Sequence, residues 1–170
     1  MFRKTFTASK PIAAARLYAT SLGVYEAYLN GKKVGTDKLA PGWTDYTKEL
    51  QYQVYDVTDM VKPGANAVGA IVGNGWYSGH VSTDGLVNRY GTDEAFLAKL
   101  AITYTDGTSE VIVTDTSWRA SLDGPYLETC NQNGETYDAR KEFPGWDTAA
   151  FDDSSWVGRE MRRFLHAPAP

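Results

Sequence analysis

The sequence is poor in several features that decide what a chain can do. Its single cysteine, Cys130, excludes an internal disulfide and any zinc site built from paired thiolates. As a small, weakly polar side chain Cys130 is expected to be semi-buried, and it identifies no compartment. Only two histidines occur, His80 and His166, and the second lies in the last five residues, so no serine–histidine–aspartate set is expected. No apolar run approaches the roughly 18 residues needed to cross a bilayer, which excludes a membrane partner of the helical kind. A surplus of positive charge is missing too. Seventeen Lys and Arg against 21 Asp and Glu give a formal charge of −4, which argues against nucleic acid, whose phosphates require a basic face. The start, Met1-Phe2-Arg3-Lys4-Thr5, lacks the apolar centre of a signal peptide. That is compatible with a cytoplasmic parent protein but identifies no compartment. Sustained helical periodicity, internal repeats and low-complexity tracts are absent as well.

What remains has the balance of an ordinary globular domain, with 42% hydrophobic and 22% charged residues in 170. That length suits one domain with its own core. Short stretches of β-type sequence alternate with turn signals. Leu17-Tyr18-Ala19-Thr20 and Val24 to Leu29 read as strands, and the second runs into Asn30-Gly31, a strong hairpin signal because a type I′ turn needs two residues at positive φ. A second hairpin joins Phe96 to Tyr104 with Glu110 to Thr114 through Asp106-Gly107. In its first strand Phe96, Ala98, Leu100, Ile102 and Tyr104 mark one face. Gln51 to Val57, Ala67 to Val72 and Trp118-Arg119-Ala120 supply further strands. Thr58 to Val61 reads as one helical turn stopped by Pro63-Gly64. Seven or more short strands separated by turns predict an all-β, antiparallel β-sandwich. Residues 123–151, rich in Gly, Asn, Asp and aromatics, are expected to form long loops around it. Residues 1–165 form the module, and residues 166–170, His-Ala-Pro-Ala-Pro, read as an extended linker to a further domain.

Chemistry concentrates in Gly73-Asn74-Gly75-Trp76-Tyr77-Ser78-Gly79, directly after an apolar strand. Glycines allow close backbone approach there. Aromatic faces beside a few amides suit the C–H-rich face of a sugar ring. The competing reading is that Trp76 and Tyr77 only close the end of the sandwich. Among carboxylates, Glu135 with Asp138, or Asp152 with Asp153, could be set against a glycosidic bond, where two acids about 5–9.5 Å apart are needed. However, Phe151-Asp152-Asp153-Ser154-Ser155-Trp156 reads more naturally as a capped turn, and Asp138 with Arg140 as a buried charge-assisted pair. Calcium accepts carboxylate, amide and backbone oxygens. Asp45, Asn74, Asp84, Asn88 and Asp93 all fall in expected loops and could supply them, or could simply be solvated turn residues.

Four stretches, in order, carry a family resemblance. They are Tyr25-Glu26-Ala27-Tyr28-Leu29-Asn30-Gly31-Lys32-Lys33-Val34-Gly35, Leu39-Ala40-Pro41-Gly42-Trp43-Thr44-Asp45-Tyr46, Gly73 to Gly79, and Asn133-Gly134-Glu135-Thr136-Tyr137-Asp138-Ala139-Arg140. With Gly145-Trp146-Asp147 and the Phe151 to Trp156 run, they resemble the N-terminal β-sandwich module of bacterial α-L-rhamnosidases. The resemblance implies a jelly-roll, galactose-binding-like fold preceding a catalytic (α/α)₆ barrel that holds the family's catalytic carboxylates, so no catalytic residue is expected in this chain. It implies as partners that barrel and a rhamnose-containing carbohydrate, with calcium as a cofactor in some members and a purely structural role in others. Asp45 carries over first as a ligand for calcium and sugar hydroxyls, and Asn88 second. The sugar-binding candidates are thus Asp45, Asn74, Trp76, Tyr77 and Asn88, and the metal ligands Asp45 and Asn88.

Overall fold

Alternating burial along the strands builds two antiparallel sheets. The computed structural model describes residues 1–81 and 85–157; the expected linker at 166–170 lies outside them. Eleven strands run in the order β1 (Phe2–Ala8), β2 (Ile12–Leu22), β3 (Val24–Leu29), β4 (Lys32–Lys33), β5 (Gln53–Asp56), β6 (Gly64–Gly73), β7 (Ala95–Tyr104), β8 (Ser109–Val113), β9 (Arg119–Ala120), β10 (Tyr126–Cys130) and β11 (Gly134–Tyr137). One sheet has the order β4-β3-β6-β1-β9, the other β5-β2-β7-β8, and β10 pairs with β11 alone. All strand pairs are antiparallel. The expected all-β sandwich is what forms. Among the described residues the helical content is one 3₁₀ turn, Ala139–Lys141.

The core lies between the two sheets. In β7, Phe96, Ala98, Leu100, Ile102 and Tyr104 are all buried, and in β3 so are Tyr25, Ala27 and Leu29, each set spaced by two. Trp118 sits among them, its indole N–H donating to the Val113 carbonyl at 2.9 Å and its ring 6.0 Å from Phe96. The Asn30-Gly31 turn has φ of 53° and 82°, as a type I′ hairpin demands. The Asn30 side chain reaches beyond its hairpin, donating to the Met60 carbonyl and to Asn66 and accepting from the Ala67 N–H. Residues 57–61 make the expected single turn, with the N–H groups of Met60 and Val61 both donating to the Val57 carbonyl.

Two expectations needed correction. Residues 123–151 are not loops alone, because they contain the β10–β11 ribbon. The Asp138–Arg140 pair forms, bidentate at 2.8 and 2.7 Å, but at the surface: the Arg140 side chain is 89% exposed. It steadies the 3₁₀ turn, whose N-cap is Asp138.

Residues 143–156 cover the outer face of the five-stranded sheet. Gly69, in central β6, has no Cβ because the Trp146 ring lies where one would stand. Trp146 meets Tyr28 edge-on at 5.3 Å and stacks near Trp156 at 6.4 Å. Arg3, with no exposed surface, fastens this segment from below. Its guanidinium donates to the carbonyls of Trp146 and Thr148, pairs with Asp153, and lies 5.3 Å from the Phe151 ring centre. Asp152 accepts from the Ser154 N–H, so the run reads structurally as the capped turn expected of it.

Candidate functional site

Three loops meet at the end of the sandwich beyond β4, β6 and the start of β7. The first, residues 34–52, is held at both flanks. Tyr25 donates its N–H to the Ala40 carbonyl, Gln53 donates to that of Pro41, and Thr20 donates to that of Gln51. Within it, Asp45 folds an Asx-type turn: its Oδ1 accepts from the Thr47 N–H at 3.1 Å and hydroxyl at 2.6 Å, and its backbone carbonyl accepts from Lys48 and Glu49. Lys48 stands 3.2 Å from Oδ2. The Thr47 hydroxyl bond, followed by Lys48, holds the Asp45 carboxyl below its usual range. Asp45 is exposed, so it presents a carboxylate that is ionised at neutral pH to solvent.

The second loop is the Gly73–Gly79 turn, and the third is residues 85–94. Asn74 caps the turn, its carbonyl accepting from Tyr77 and Ser78. The amide of Asn74 is fully committed inside the protein: Nδ2 donates to Ser78 and to Glu94 at 2.8 Å, and Oδ1 accepts from the Thr129 N–H. The third loop then pairs with the second, Asn88 donating its N–H to Ser78 and Tyr90 to Tyr77. Asn88 is exposed and takes a φ of 59°, a conformation asparagine tolerates well.

Aromatic side chains tie the three loops together. Trp43 and Trp76 lie parallel, 6.2 Å apart at an interplanar angle of 7°, the offset arrangement that aromatic pairs prefer. The Trp43 indole donates to the Tyr90 hydroxyl at 3.3 Å. Tyr46 packs on both Tyr77, edge-on at 5.5 Å, and Tyr90 at 5.1 Å, while its hydroxyl donates to the Gly42 carbonyl. Burial, helped by Tyr90, pushes the Tyr46 phenol up to about 12. Burial, helped by the charges of Asp93 and Glu94, also raises Tyr77.

The residues singled out in the sequence therefore divide. Trp76, Asp45 and Asn88 stand at one end of the molecule in loops joined by the aromatic cluster. Tyr77, at 9% exposure, and Asn74 turn inward and support those loops from behind. Asp84 lies outside the described residues. Three residues went unselected: Trp43, Tyr46 and Tyr90. Trp43 is 52% exposed and offers the larger open ring. The signal for two of them was present, since Trp43 and Tyr46 flank Asp45 within one motif.

Calcium requires six to eight oxygens. Among the described residues no three His, Cys, Asp or Glu side chains gather as a metal site. Asp45, whose two oxygens already bond Thr47 and Lys48, would contribute one charged donor and Asn88 one neutral one, so backbone carbonyls, water or sugar hydroxyls would have to complete a shell. Such a donor set fits only a weakly held ion.

Residues 10–167 match the family model described as the alpha-L-rhamnosidase N-terminal domain. An α-L-rhamnosidase of Streptomyces avermitilis is 55% identical over 148 residues, covering 87% of this chain but 14% of that protein. An α-L-rhamnosidase of an Alteromonas species is 42% identical over 155 residues, 91% of this chain and 17% of that one. The chain thus spans about a sixth of the length of these relatives. The crystal structure of the Streptomyces enzyme complexed with L-rhamnose superposes with a TM-score of 0.88 at 53% identity, over 92% of this chain and 15% of that one. A lectin from Pleurotus ostreatus, 20% identical, superposes with a TM-score of 0.53 over 91% of this chain and 34% of that one, a likeness of fold alone that agrees with a jelly roll.

Proposed function

Because this chain belongs to the α-L-rhamnosidase N-terminal domain family, we propose that it is a recognition module without chemistry of its own, binding terminal L-rhamnose at the Trp43–Trp76 end of the sandwich. The observation that carries this reading is the parallel Trp43–Trp76 pair, in which Trp43 is half exposed, beside an exposed Asp45 carboxylate. A 6-deoxy sugar presents a methyl group and ring C–H bonds to the indole face, while its vicinal hydroxyls require oxygen-directed partners. Asp45 and Asn88 would hold a calcium ion there, which would supply the electrostatic attraction for those hydroxyls. A relative 53% identical to this chain was crystallised with L-rhamnose, which supports the choice of sugar. In the parent enzyme the module would keep rhamnose-bearing substrate close to a catalytic barrel downstream.

Affinity should be weak, about micromolar to millimolar, since a monosaccharide covers little area and its hydroxyls must lose water. Calorimetric titration of L-rhamnose into the chain, with and without calcium, is the direct test. Binding that chelation removes supports the whole reading. Binding indifferent to calcium retains the sugar and discards the metal. No heat at millimolar sugar with excess calcium rejects recognition and leaves the structural alternative, a module that only packs against its neighbours. The inward-facing Asn74 and Tyr77 favour that alternative for their part of the motif.

A further inference from the structure

The two sheets are covered unequally. The outer face of the five-stranded sheet lies under residues 143–156, whereas nothing among the described residues covers that of β5-β2-β7-β8. One cross-strand row on this bare face runs Val54, Tyr18, Lys99, Val113, and neighbouring positions add Leu97 and Val111. Leu97 is 54% exposed, and Val54, Val111, Val113 and Tyr52 are exposed with it. A hollow of about 470 Å³ lies between Tyr52, Tyr18, Leu97 and Val113. The Lys99 ammonium lies 5.7 Å over the Tyr18 ring, so its stem covers apolar surface rather than breaking it. An antiparallel sheet with one solvated face normally shows polar residues there. The next row, Asp56, Arg16, Ala101 and Val111, bounds this patch with two exposed charges on one side, and an apolar patch of a few hundred Å² is often a functional surface.

We infer that this face seats the adjoining domain of the same α-L-rhamnosidase chain, through an apolar surface on that domain. Area decides between that partner and a second copy. Four strands about 4.8 Å apart, over some five residues each, make a face of roughly 300–400 Å². Against its own copy it would bury about 600–800 Å² in total, the range of crystal packing and below a stable dimer interface. The same area suffices between domains of one chain, where contacts of about 600 Å² upward are usual and the tether supplies an effective concentration near millimolar. The relatives provide such a neighbour, as this chain makes up only 14–17% of their length. The face lies on the side of a sheet, away from the aromatic end, so this inference stands or falls separately from rhamnose binding.

The test is thiol accessibility at Leu97→Cys, made convenient by the burial of Cys130, the chain's own thiol. The variant is labelled with a maleimide in the 170-residue chain and in an α-L-rhamnosidase of full family length that carries the module, each corrected for the unsubstituted protein. Labelling at the rate of an open thiol in the short chain, and about tenfold or more slower in the long one, is expected of an interdomain contact. Equal rates overturn the inference. Slow labelling in the short chain, relieved when it ends at Val157, assigns the face to residues 158–170 and also overturns it. So does protection that grows with concentration alongside a dimer in sedimentation. If Leu97→Cys does not fold, Val113→Cys serves in the same way. Val113→Glu adds a second readout: it should leave the melting temperature of the short chain unchanged and lower that of the long one.

Discussion

Arg3 and Trp43 carry opposite burdens as single residues. Arg3 is charged with no exposed surface, and its guanidinium is spent on two carbonyls, the Asp153 carboxylate and the Phe151 ring. Breaking a buried pair leaves an uncompensated group, so Arg3→Ala should cost about 3–5 kcal/mol. The expected loss is read as a lower urea midpoint, with residues 143–156 becoming more accessible to protease. A change under about 1 kcal/mol would show that the segment holds without it. Trp43 is half exposed, so Trp43→Ala should alter stability by no more than about 1 kcal/mol. On the proposed site it should weaken rhamnose binding about tenfold, equivalent to roughly 1.4 kcal/mol of ring contact. Asp45→Ala should remove calcium and sugar binding together while the fold survives, because the carboxylate is exposed and its structural bonds are local. Sugar binding that persists in Asp45→Ala at every calcium concentration assigns recognition to the aromatics alone.

At the scale of elements, two joints hold the loops and turns in place. The first is Asn66, fully buried, which donates to the carbonyls of Lys62 and Gly64 and accepts from the Lys62 N–H and from Asn30. Asn66→Ala strands several of these partners, each costing about 1–3 kcal/mol. A loss above about 2 kcal/mol in chemical denaturation is expected. The second joint is Tyr46, which links the Asp45 loop to Tyr77 and Tyr90. Its phenol is raised from 10.0 to about 12, chiefly by burial, so the folded state favours the neutral form. The contribution is therefore whole below about pH 10 and is lost as pH rises toward about 12. Stability should fall across that window, and Tyr46→Phe should flatten part of the decline. An unchanged slope in Tyr46→Phe would assign the alkaline loss to other tyrosines. Tyr25 and Tyr28 are raised further in the same direction by burial.

For the molecule as a whole, the proposed division of labour places recognition here and hydrolysis elsewhere in the parent enzyme. The chain alone should release no phenol from aryl α-L-rhamnosides above a buffer blank. Turnover that disappears in Glu135→Gln would overturn that expectation, since Glu135 is an exposed carboxylate on β11. On the two proposals above, unequal covering of the two sheets would give the molecule two directions, a loop-bearing end for ligand and a bare flank for a neighbour.

Local sequence by itself determined the central strands and the two hairpins at Asn30-Gly31 and Asp106-Gly107, though not β1 or the β10–β11 ribbon. Alternation at period two and the Asn-Gly and Asp-Gly turns act between near neighbours, and β7 buries the side chains its pattern marks. Ordered motifs were also enough to place the family. Tertiary structure alone decided the rest, because exposure depends on what arrives from far along the chain. Trp76 and Tyr77 are adjacent and chemically alike, yet Tyr77 is covered by a loop returning at Tyr90 while Trp76 meets Trp43 at the surface. Asn74 looked free for a ligand until Thr129, 55 residues away, took its amide oxygen. β1 has no local signature of its own, because the partners that bury Arg3 on its outward side, the carbonyls of Trp146 and Thr148, lie 143 and 145 residues further on. Which sheet face stayed bare was likewise invisible in the sequence, for the residues that cover the other face reach it only through the fold.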